Sequence, residues 1–425
     1  MKITLINKDD SGGGAAMACS RLFRALKEQQ ADVQMLVQRK TRPDEAINSV
    51  LHSKFDKVQA EFNFLYERVP FILKERDVSV RFAFSTANAG MDISGEKSVQ
   101  DAALLHLHWI NGAFLSLDNL STLFRLHKPI VWTLHDMWPF TGGCHYSGVC
   151  NYFHKQCGDC YFLKKPYPDD ISHTGWLNKQ AILKTAKLTF IACSNWMREE
   201  AGKSSLFQNF EIVTIPNPID TETYTKLNKH QCRQKWNISP NSKIILFGAA
   251  NINHKRKGIK YLIEALSVIK NSLEVYPDDI QVVVFGKGKG FDFSTIPFPV
   301  VSLPVIKDEK QLAEIYNLAD VFVLPSLEDN LPNMVMEALA CAVPVVAFDT
   351  GGVKDMVEHF ENGYLAEYKS VKDLAHGIVT ILNSDNYIQL SSNARQKVVD
   401  NFSNKVVAEK HIDLYHSIIS GYGMV

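Results

Sequence analysis

The sequence lacks any apolar run of the roughly 18 residues that a membrane-spanning helix needs. Its first segment, MKITLINKDD, turns polar after Ile6 and therefore lacks the apolar core of a signal peptide. Both absences predict a cytoplasmic protein. Thiols stay reduced in that compartment, so the eight cysteines predict free thiols or metal ligands rather than a disulfide framework.

An excess of charge is also lacking, because 46 basic residues balance 46 acidic ones. No nucleic-acid partner is therefore expected. Two nucleotide-binding signatures are missing as well. There is no Walker loop, and the loop SGGGAAM has Met17 where the dinucleotide fingerprint needs its third glycine. The next predicted strand ends in LVQRK without an acid for ribose, so we do not expect NAD as a cofactor.

What the sequence does contain is a repeated alternation of short apolar runs with amphipathic segments. Its first 38 residues read as strand, glycine loop, helix and strand, which is a βαβ opening. Further strands are predicted at AALLHLHW, PIVWTLHD, LTFIACS and FEIVTIP. After a turn-rich linker at 215–238, a second series follows with KIILFGAA, IQVVVFGKGKG, VFVLPS and VPVVAFD. The pattern predicts an α/β fold of two doubly wound, Rossmann-like domains facing a cleft.

Two motifs in the second series combine cations, a helix start and carboxylates. Arg256 and Lys257 come directly before a helix start, where cations favour a diphosphate. Asp329 and Glu337 lie eight positions apart around a helix predicted at 332–341, and each carboxylate suits two adjacent hydroxyls. Either acid alone would more commonly be a surface charge. The free amides at this helix start are expected to face phosphate oxygens; they belong to Asn333, Met334 and Val335.

A polar segment within residues 141–163, TGGCHYSGVCNYFHKQCGDC, holds half of the cysteines: Cys144, Cys150, Cys157 and Cys160. Four thiolates suit tetrahedral zinc, and His145 or His154 could replace one of them. We predict a structural zinc ion that orders this loop and takes no part in chemistry. Because the first two spacings are not those of a standard zinc knuckle, an ordinary loop with free thiols and a redox function stay open.

These motifs, taken in order, resemble the retaining glycosyltransferases of group 1 (family 4). The resemblance extends over nearly the whole chain through the GGG loop, TLHD, CSNW, IPNPID, RKG, YNLADVFVLPS, the acid pair and GG. It implies the GT-B fold, with an N-terminal acceptor-side domain at 1–218 and a nucleotide-sugar-binding domain at 219–402. A C-terminal helix, 403–425, is expected to pack back toward the N-terminal domain.

The resemblance also implies roles for the matching residues of the second domain. Asp329 would lie near the donor sugar hydroxyls, and Glu337 would hold the ribose hydroxyls. Lys257, with Arg256 beside it, would bind the diphosphate. The family's usual Glu-Gly-Phe-Gly is Asp-Asn-Leu-Pro here, so Glu328 is the alternative to Asp329.

For the first domain, the resemblance implies that His135 of TLHD reaches the donor sugar. The loop residues Gly13 and Gly14 would approach the phosphates. Polar side chains at neighbouring strand ends are predicted on the acceptor side; they are His108, Trp109 and Asp136.

The implied activity is metal-independent, retaining transfer of a sugar from a UDP- or GDP-sugar to a glycan or lipid-linked acceptor. The motifs HWINGAFLSL and TLHDMWPFTGGCHYSG resemble transferases of bacterial exopolysaccharide or lipopolysaccharide synthesis, which work at the inner membrane face. Residues 51–85 mix aromatic and charged residues, which predicts either peripheral membrane contact or an element packed on its own domain. A non-catalytic sugar-nucleotide-binding subunit, and an epimerase or phosphorylase on the same fold, stay open as alternatives.

Overall fold

The computed structural model describes residues 1–272 and 279–422, and the chain divides into two units. The first unit contains Met1–Asn217 and the chain from Val407 onward, and the second contains Pro218–Val406. The last three residues of the predicted segment 403–425 lie outside the described residues.

The first unit is built on a seven-stranded sheet in the order β3-β2-β1-β4-β5-β6-β7, with every pair parallel. Its strands are β1 (Ile3–Asp9), β2 (Val33–Arg39), β3 (Ile47–Ser49), β4 (Leu104–Leu107), β5 (Ile130–Leu134), β6 (Leu188–Ala192) and β7 (Glu211–Thr214). Strands β4, β5 and β6 are buried at every residue. This explains their continuous apolar runs, because parallel strands are covered on both faces.

Helices connect and cover these strands. They are α1 (Gly14–Glu28), α2 (Lys54–Ile72), α3 (Lys97–Gln100), α4 (Leu117–Phe124), α5 (Ile171–Leu183) and α6 (Asn195–Lys203). The chain's last helix, α13 (Asn404–Tyr422), places Val407, Ala408 and Tyr415 in the same apolar cluster as Ile3 and Leu22. No helix among the described residues is both long and apolar enough to cross a bilayer.

The second unit has a six-stranded parallel sheet in the order β10-β9-β8-β11-β12-β13. Its strands are β8 (Lys243–Asn251), β9 (Ile280–Lys287), β10 (Val300–Leu303), β11 (Val321–Leu324), β12 (Val345–Phe348) and β13 (Gly363–Ala366). Its helices are α7 (Lys229–Lys235), α8 (Ile259–Lys270), α9 (Glu309–Asn317), α10 (Asn333–Ala340), α11 (Val371–Leu382) and α12 (Tyr387–Phe402). The prediction of two parallel, Rossmann-like sheets is confirmed.

The predicted linker, 215–238, is wrong in its second half, which forms α7. The buried Arg233 of this helix donates to the carbonyl of Leu318 at 2.9 Å and to the carboxylate of Asp320 at 2.7 Å. These side-chain bonds fix α7 to the second unit, and the weak apolar periodicity of the segment gave no sign of them.

Candidate functional site

In the second unit, the two predicted cations meet one of the predicted acids. Lys257 Nζ lies 2.6 Å from Asp329 Oδ2, and Arg256 Nη1 lies 3.6 Å from Asp329 Oδ1. Both cations lie in a short 3₁₀ turn after β8, and Asp329 lies between β11 and α10. Because β8 and β11 are neighbours in the sheet, their carboxyl ends bring these side chains together.

Asp329 is ionised in this setting. Its side chain belongs to a residue only 7% exposed, and burial by itself would raise the pKa of the carboxyl. The charges of Lys257 and Arg256 outweigh that effect and hold the pKa of Asp329 below its usual value. The alternative acid, Glu328, is half-buried and offers its backbone carbonyl to Arg256 Nη1. The structure thus joins the carboxylate of Asp329 to both cations, and the choice between Asp329 and Glu328 at the donor stays a prediction.

A glycine sets the position of the cationic turn. Gly258 has φ of 70°, and a Cβ there would lie 1.8 Å from the backbone oxygen of Pro325. The two segments are also joined by a hydrogen bond of 2.8 Å from Leu327 N to Arg256 O. Only glycine fits this close approach of two backbones, which explains the glycine of the RKG motif.

A second glycine holds the other side of the Asp329 segment. Gly351 has φ of 56°, and a Cβ there would lie 1.8 Å from the backbone oxygen of Asp329. That oxygen accepts a hydrogen bond from Gly352 N at 3.1 Å. The GG motif after β12 thus fixes the backbone that carries the acid.

Glu337 lies inside α10 and is buried. Its Oε2 accepts a hydrogen bond of 2.7 Å from the hydroxyl of Tyr316, which is in α9. The prediction missed Tyr316, although it stands in the quoted motif YNLAD, because the spacing of two helices decides whether that hydroxyl reaches the carboxylate. Tyr316 orients Glu337 for any further hydrogen bond.

The start of α10 carries the three backbone amides that were predicted to face an anion. The helix begins at Asn333 after Pro332, with no side-chain cap. The amide of Val335 donates to the carbonyl of Pro332 at 3.0 Å, so it is already satisfied within the first turn. A bond from the Val335 amide to an anion would compete with this contact, and the predicted contacts from Asn333, Met334 and Val335 stay predictions.

Replacing Tyr316 by phenylalanine should lower the free energy of unfolding by about 1 to 3 kcal/mol, since a buried carboxylate oxygen loses its donor. Chemical denaturation measures this change. The matched control is Tyr261→Phe, because among the described residues the ring of Tyr261 packs against Phe348 and its hydroxyl makes no hydrogen bond. Equal losses in the two variants would mean that the bond to Glu337 contributes nothing.

In the first unit, buried histidines stack at the carboxyl ends of β4 and β5. His108 Nδ1 lies 2.9 Å from His135 Nε2, and His106 bonds Thr133 and Tyr415 at 2.7 Å each. Burial lowers the pKa of His135 to about 4 and puts the pKa values of His106 and His108 well below the usual value. All three rings are therefore neutral near pH 7 and act as hydrogen-bond partners rather than acids.

The tautomers of His108 and His135 can be assigned because one ring nitrogen of His108 has no hydrogen-bond partner among the described residues. That nitrogen is Nε2, which is buried. A buried acceptor tolerates this better than a buried N–H, so we assign the proton to Nδ1, which donates to His135 Nε2. His135 Nδ1 lies 3.9 Å from the sulfur of Cys193. A hydrogen bond from the His135 ring to a sugar therefore requires one of these two contacts to break.

The other predicted acceptor-side residues bond to each other. Trp109 Nε1 donates to Asp136 Oδ2 at 2.9 Å, and His145 Nδ1 lies 2.8 Å from the same oxygen. The backbone amide of Trp138 donates to Asp136 Oδ1. Burial would raise the pKa of Asp136, but His145 and these donors lower it below its usual value. Asp136 is thus an ionised anchor of the loop after β5, and its pairing with His145 could not be predicted from the sequence.

The glycine loop of the first unit lies at the end of β1, and Gly13 precedes Gly14, the first residue of α1. Gly13 has φ of 113°, and nothing lies within 4 Å of the position that a Cβ would take there. The backbone is therefore accessible on this side, as the predicted approach of an anion requires.

The structure does not support the predicted zinc ion. Among the described residues, no group of three or more histidine, cysteine or acidic side chains has the geometry to hold a metal. Burial raises the pKa of Cys157 to about 11 and of Cys160 to about 12, and puts that of Cys144 well above the usual value. Cys160 packs in an apolar cluster with Phe84 and Phe162, and Cys144 packs against it. Cys150 is half-buried. The spacing of the thiols suggested ligands, but desolvation keeps the thiols of Cys144, Cys157 and Cys160 neutral.

Two Rossmann-like units with parallel sheets define the GT-B architecture. Within that class, the chain belongs to the group 1 glycosyltransferases. A model described as "Glycosyl transferases group 1" matches residues 242–384, and one described as "Glycosyltransferase Family 4" matches residues 12–223. The resemblance seen in the motifs is confirmed.

Two curated relatives show the range of the family. N-acetyl-alpha-D-glucosaminyl L-malate synthase of Bacillus anthracis is 23% identical over 218 residues, which is 50% of this chain and 55% of the relative. UDP-Gal:alpha-D-GlcNAc-diphosphoundecaprenol alpha-1,3-galactosyltransferase of Escherichia coli is 26% identical over 252 residues, which is 57% of this chain and 63% of the relative. The chain thus spans less than two thirds of the length of either relative.

Solved structures show the same fold. Sucrose-phosphate synthase of Thermosynechococcus elongatus superposes with a TM-score of 0.68 at 19% identity, covering 99% of both chains. Anabaena HepE, solved in complex with UDP and glucose, superposes with a TM-score of 0.64 at 15% identity, covering 98% of this chain and 100% of HepE.

Proposed function

We propose that this chain is a retaining glycosyltransferase. It moves a sugar from a nucleoside diphosphate sugar, with uracil or guanine as the base, to a hydroxyl of a glycan or lipid-linked acceptor. The single observation that carries the proposal is the contact of Lys257 and Arg256 with Asp329 at neighbouring strand ends of the second unit. Membership of the family and the UDP-bound state of HepE support it.

Each residue of this site can contact one part of a nucleotide sugar. An ammonium has three N–H donors, so Lys257 can donate to Asp329 and to a diphosphate oxygen at the same time. Asp329 is then held beside the phosphates, where its carboxylate accepts from sugar hydroxyls. Glu337, oriented by Tyr316, accepts from the ribose hydroxyls.

The proposed chemistry needs no nucleophile from the chain. The bond from the anomeric carbon to the diphosphate oxygen breaks, and the acceptor oxygen bonds to that carbon on the same face. The proton of the acceptor hydroxyl passes to the leaving phosphate. Lys257 and Arg256 stabilise the negative charge that develops on the diphosphate, and fixed cations in a partly buried site do this efficiently. In this proposal the reaction needs no metal ion.

The acceptor side of the proposal rests on the relatives. The galactosyltransferase of E. coli acts, by its name, on a sugar carried by diphosphoundecaprenol. We propose that this chain likewise acts in the synthesis of a bacterial surface polysaccharide, at the inner face of the membrane.

A thermal-shift panel of UDP- and GDP-sugars tests the proposal. At one hundred times its dissociation constant, the true donor should stabilise the protein by about 2.7 kcal/mol, which raises Tm by several degrees. Proton NMR of the product should then show the anomeric configuration of the donor. If no sugar nucleotide raises Tm, or if the product has inverted configuration, the proposal is contradicted.

A further inference from the structure

The first unit contains a cavity that the proposed donor site does not use. Its volume is about 770 Å³, and it lies where the ends of β1 and β2 meet α2. Five of its thirteen lining residues are cations and one is an acid. The charged lining residues are Lys8, Arg39, Lys40, Arg42, Lys57 and Glu61.

Lys8 is the innermost of these cations. The residue is 5% exposed, and its Nζ donates to the carbonyl of Gly112 at 2.6 Å. The same nitrogen lies 4.8 Å from the ring centre of Phe64. Burial of this ammonium lowers the pKa of Lys8 to about 8. The carboxylates of Asp9, Glu67 and Glu61 also act on this ammonium, but the effect of burial outweighs them. An anion in the cavity would therefore stabilise Lys8 further.

The remaining cations line the outer part of the cavity. Arg39 already pairs with Asp9, at 2.7 Å. The loop that carries Lys40 and Arg42 is fixed by the carboxylate of Asp10, which accepts from the backbone amides of Thr41 and Arg42 at 2.8 Å each. Apart from the Arg39 pair, four cations face one acid, so the cavity suits a ligand with more than one negative charge.

Helix α2 lines this cavity with one face and exposes an apolar surface on the other. We call that surface the apolar stripe. Its residues recur at helical spacing, and each is between 47% and 74% exposed. The members are Phe55, Val58, Phe62, Leu65, Tyr66, Val69 and Leu73, the last of which follows the helix directly. At a rise of about 1.5 Å per residue, the stripe is about 27 Å long. An exposed apolar surface of this size is typical of a site that contacts another molecule.

We propose that the cavity binds the diphosphate of a lipid diphosphate, and that the apolar stripe lies against the membrane that carries this lipid. The charge of the cavity selects the diphosphate, and the stripe on the opposite face of α2 selects a ligand that is anchored in a bilayer. The inference rests on the proposed function, because it identifies the lipid-linked acceptor as a diphosphate and locates its head group.

The ligand's head group and its apolar chain are tested separately. Calorimetry with inorganic pyrophosphate, in the presence of saturating UDP, measures binding outside the donor site. Flotation with phosphatidylcholine vesicles, with and without undecaprenyl diphosphate, measures binding of the lipid. We expect the wild type to bind pyrophosphate and to float more completely with the vesicles that contain the lipid diphosphate.

Two variants, each with a matched control, separate the contributions of cavity and stripe. The double variant K40A/K57A removes two exposed cavity cations and should weaken pyrophosphate binding at least about tenfold. Its control, K155A/K184A, removes two exposed lysines of the same unit that do not line the cavity. The variant F55S/F62S should keep pyrophosphate binding and lose flotation, whereas V149S/I388S, its control at exposed apolar positions elsewhere, should float as the wild type does.

Equal pyrophosphate binding by the wild type and K40A/K57A would overturn the proposal. So would equal flotation with both kinds of vesicle, because a soluble diphosphate would then be the better ligand. Stabilisation by UDP or GDP, measured on the same samples, reports the donor site. Its absence would contradict the proposed function, whereas its presence without a cavity effect would contradict this inference alone.

Discussion

Replacing Lys257 by methionine should lower the rate of sugar transfer by about 10²- to 10³-fold, a loss of roughly 3 to 4 kcal/mol of transition-state stabilisation. Methionine keeps most of the side-chain length and removes the charge that lies 2.6 Å from Asp329. The leaving diphosphate then has only Arg256 of the two cations to stabilise it. Steady-state rates with the donor identified by thermal shift measure the effect.

The control for this variant comes from the same turn. Lys255 is exposed, stands two positions before Lys257 and carries the same charge. Lys255→Met should therefore retain most of the activity. A similar loss in both variants would mean that the net charge of the turn matters rather than the contact of Lys257 with the site.

The pH dependence of stability gives a second measurement on the Lys257→Met variant. The pKa of Asp329 in the folded chain lies below its usual 3.8, so the unfolded chain binds that proton more readily. The ion pair's contribution is then present above about pH 4 and is lost as the pH falls through the lower folded value. The difference in unfolding free energy between wild type and variant should hold down to about pH 4 and shrink as the pH falls further. A constant difference would contradict the ion pair as its source.

Much of the fold could be predicted because burial leaves a direct trace in the sequence. The strand Ile130–Leu134 is buried at all five residues and reads as a continuous apolar run. The segment at 229–235 left no such trace, because polar bonds of Arg233 hold its helix in place. Sequence patterns report apolar burial well and long-range polar contacts poorly.

The same contrast applies to the candidate site, where neighbours in the sequence were predicted and long-range contacts were not. The spacing of Asp329 and Glu337 identified two acids, since one short segment carries both. Tyr316 and Lys8 escaped prediction because their partners lie elsewhere in the chain. The partner of Tyr316 is in α10, and those of Lys8 are Phe64 in α2 and the carbonyl of Gly112. The zinc prediction, which the structure does not support, relied on the spacing of the cysteines alone. Their spacing suggested ligands, but it carried no information on the burial that keeps three of the thiols protonated.

Replacing Gly351 by alanine should lower the free energy of unfolding by roughly 2 to 5 kcal/mol. The left-handed backbone costs an L-residue about 1 to 2 kcal/mol, and forcing a methyl group into a closed space adds about 1 to 3 kcal/mol. That space is closed because the new Cβ would lie 1.8 Å from the backbone oxygen of Asp329. Chemical denaturation measures the loss.

Gly290→Ala separates the two contributions. Gly290 has φ of 76°, but nothing lies within 4 Å of its Cβ position, so only the backbone cost of about 1 to 2 kcal/mol should appear. The variants should also differ in function. Gly351→Ala displaces the backbone of Asp329 and should abolish stabilisation by the donor, whereas Gly290→Ala should retain it. If Gly351→Ala binds the donor normally, the contact of the GG motif does not set the position of Asp329. If donor binding is lost only in Gly351→Ala, this glycine acts on the donor site through the acid that it holds in place.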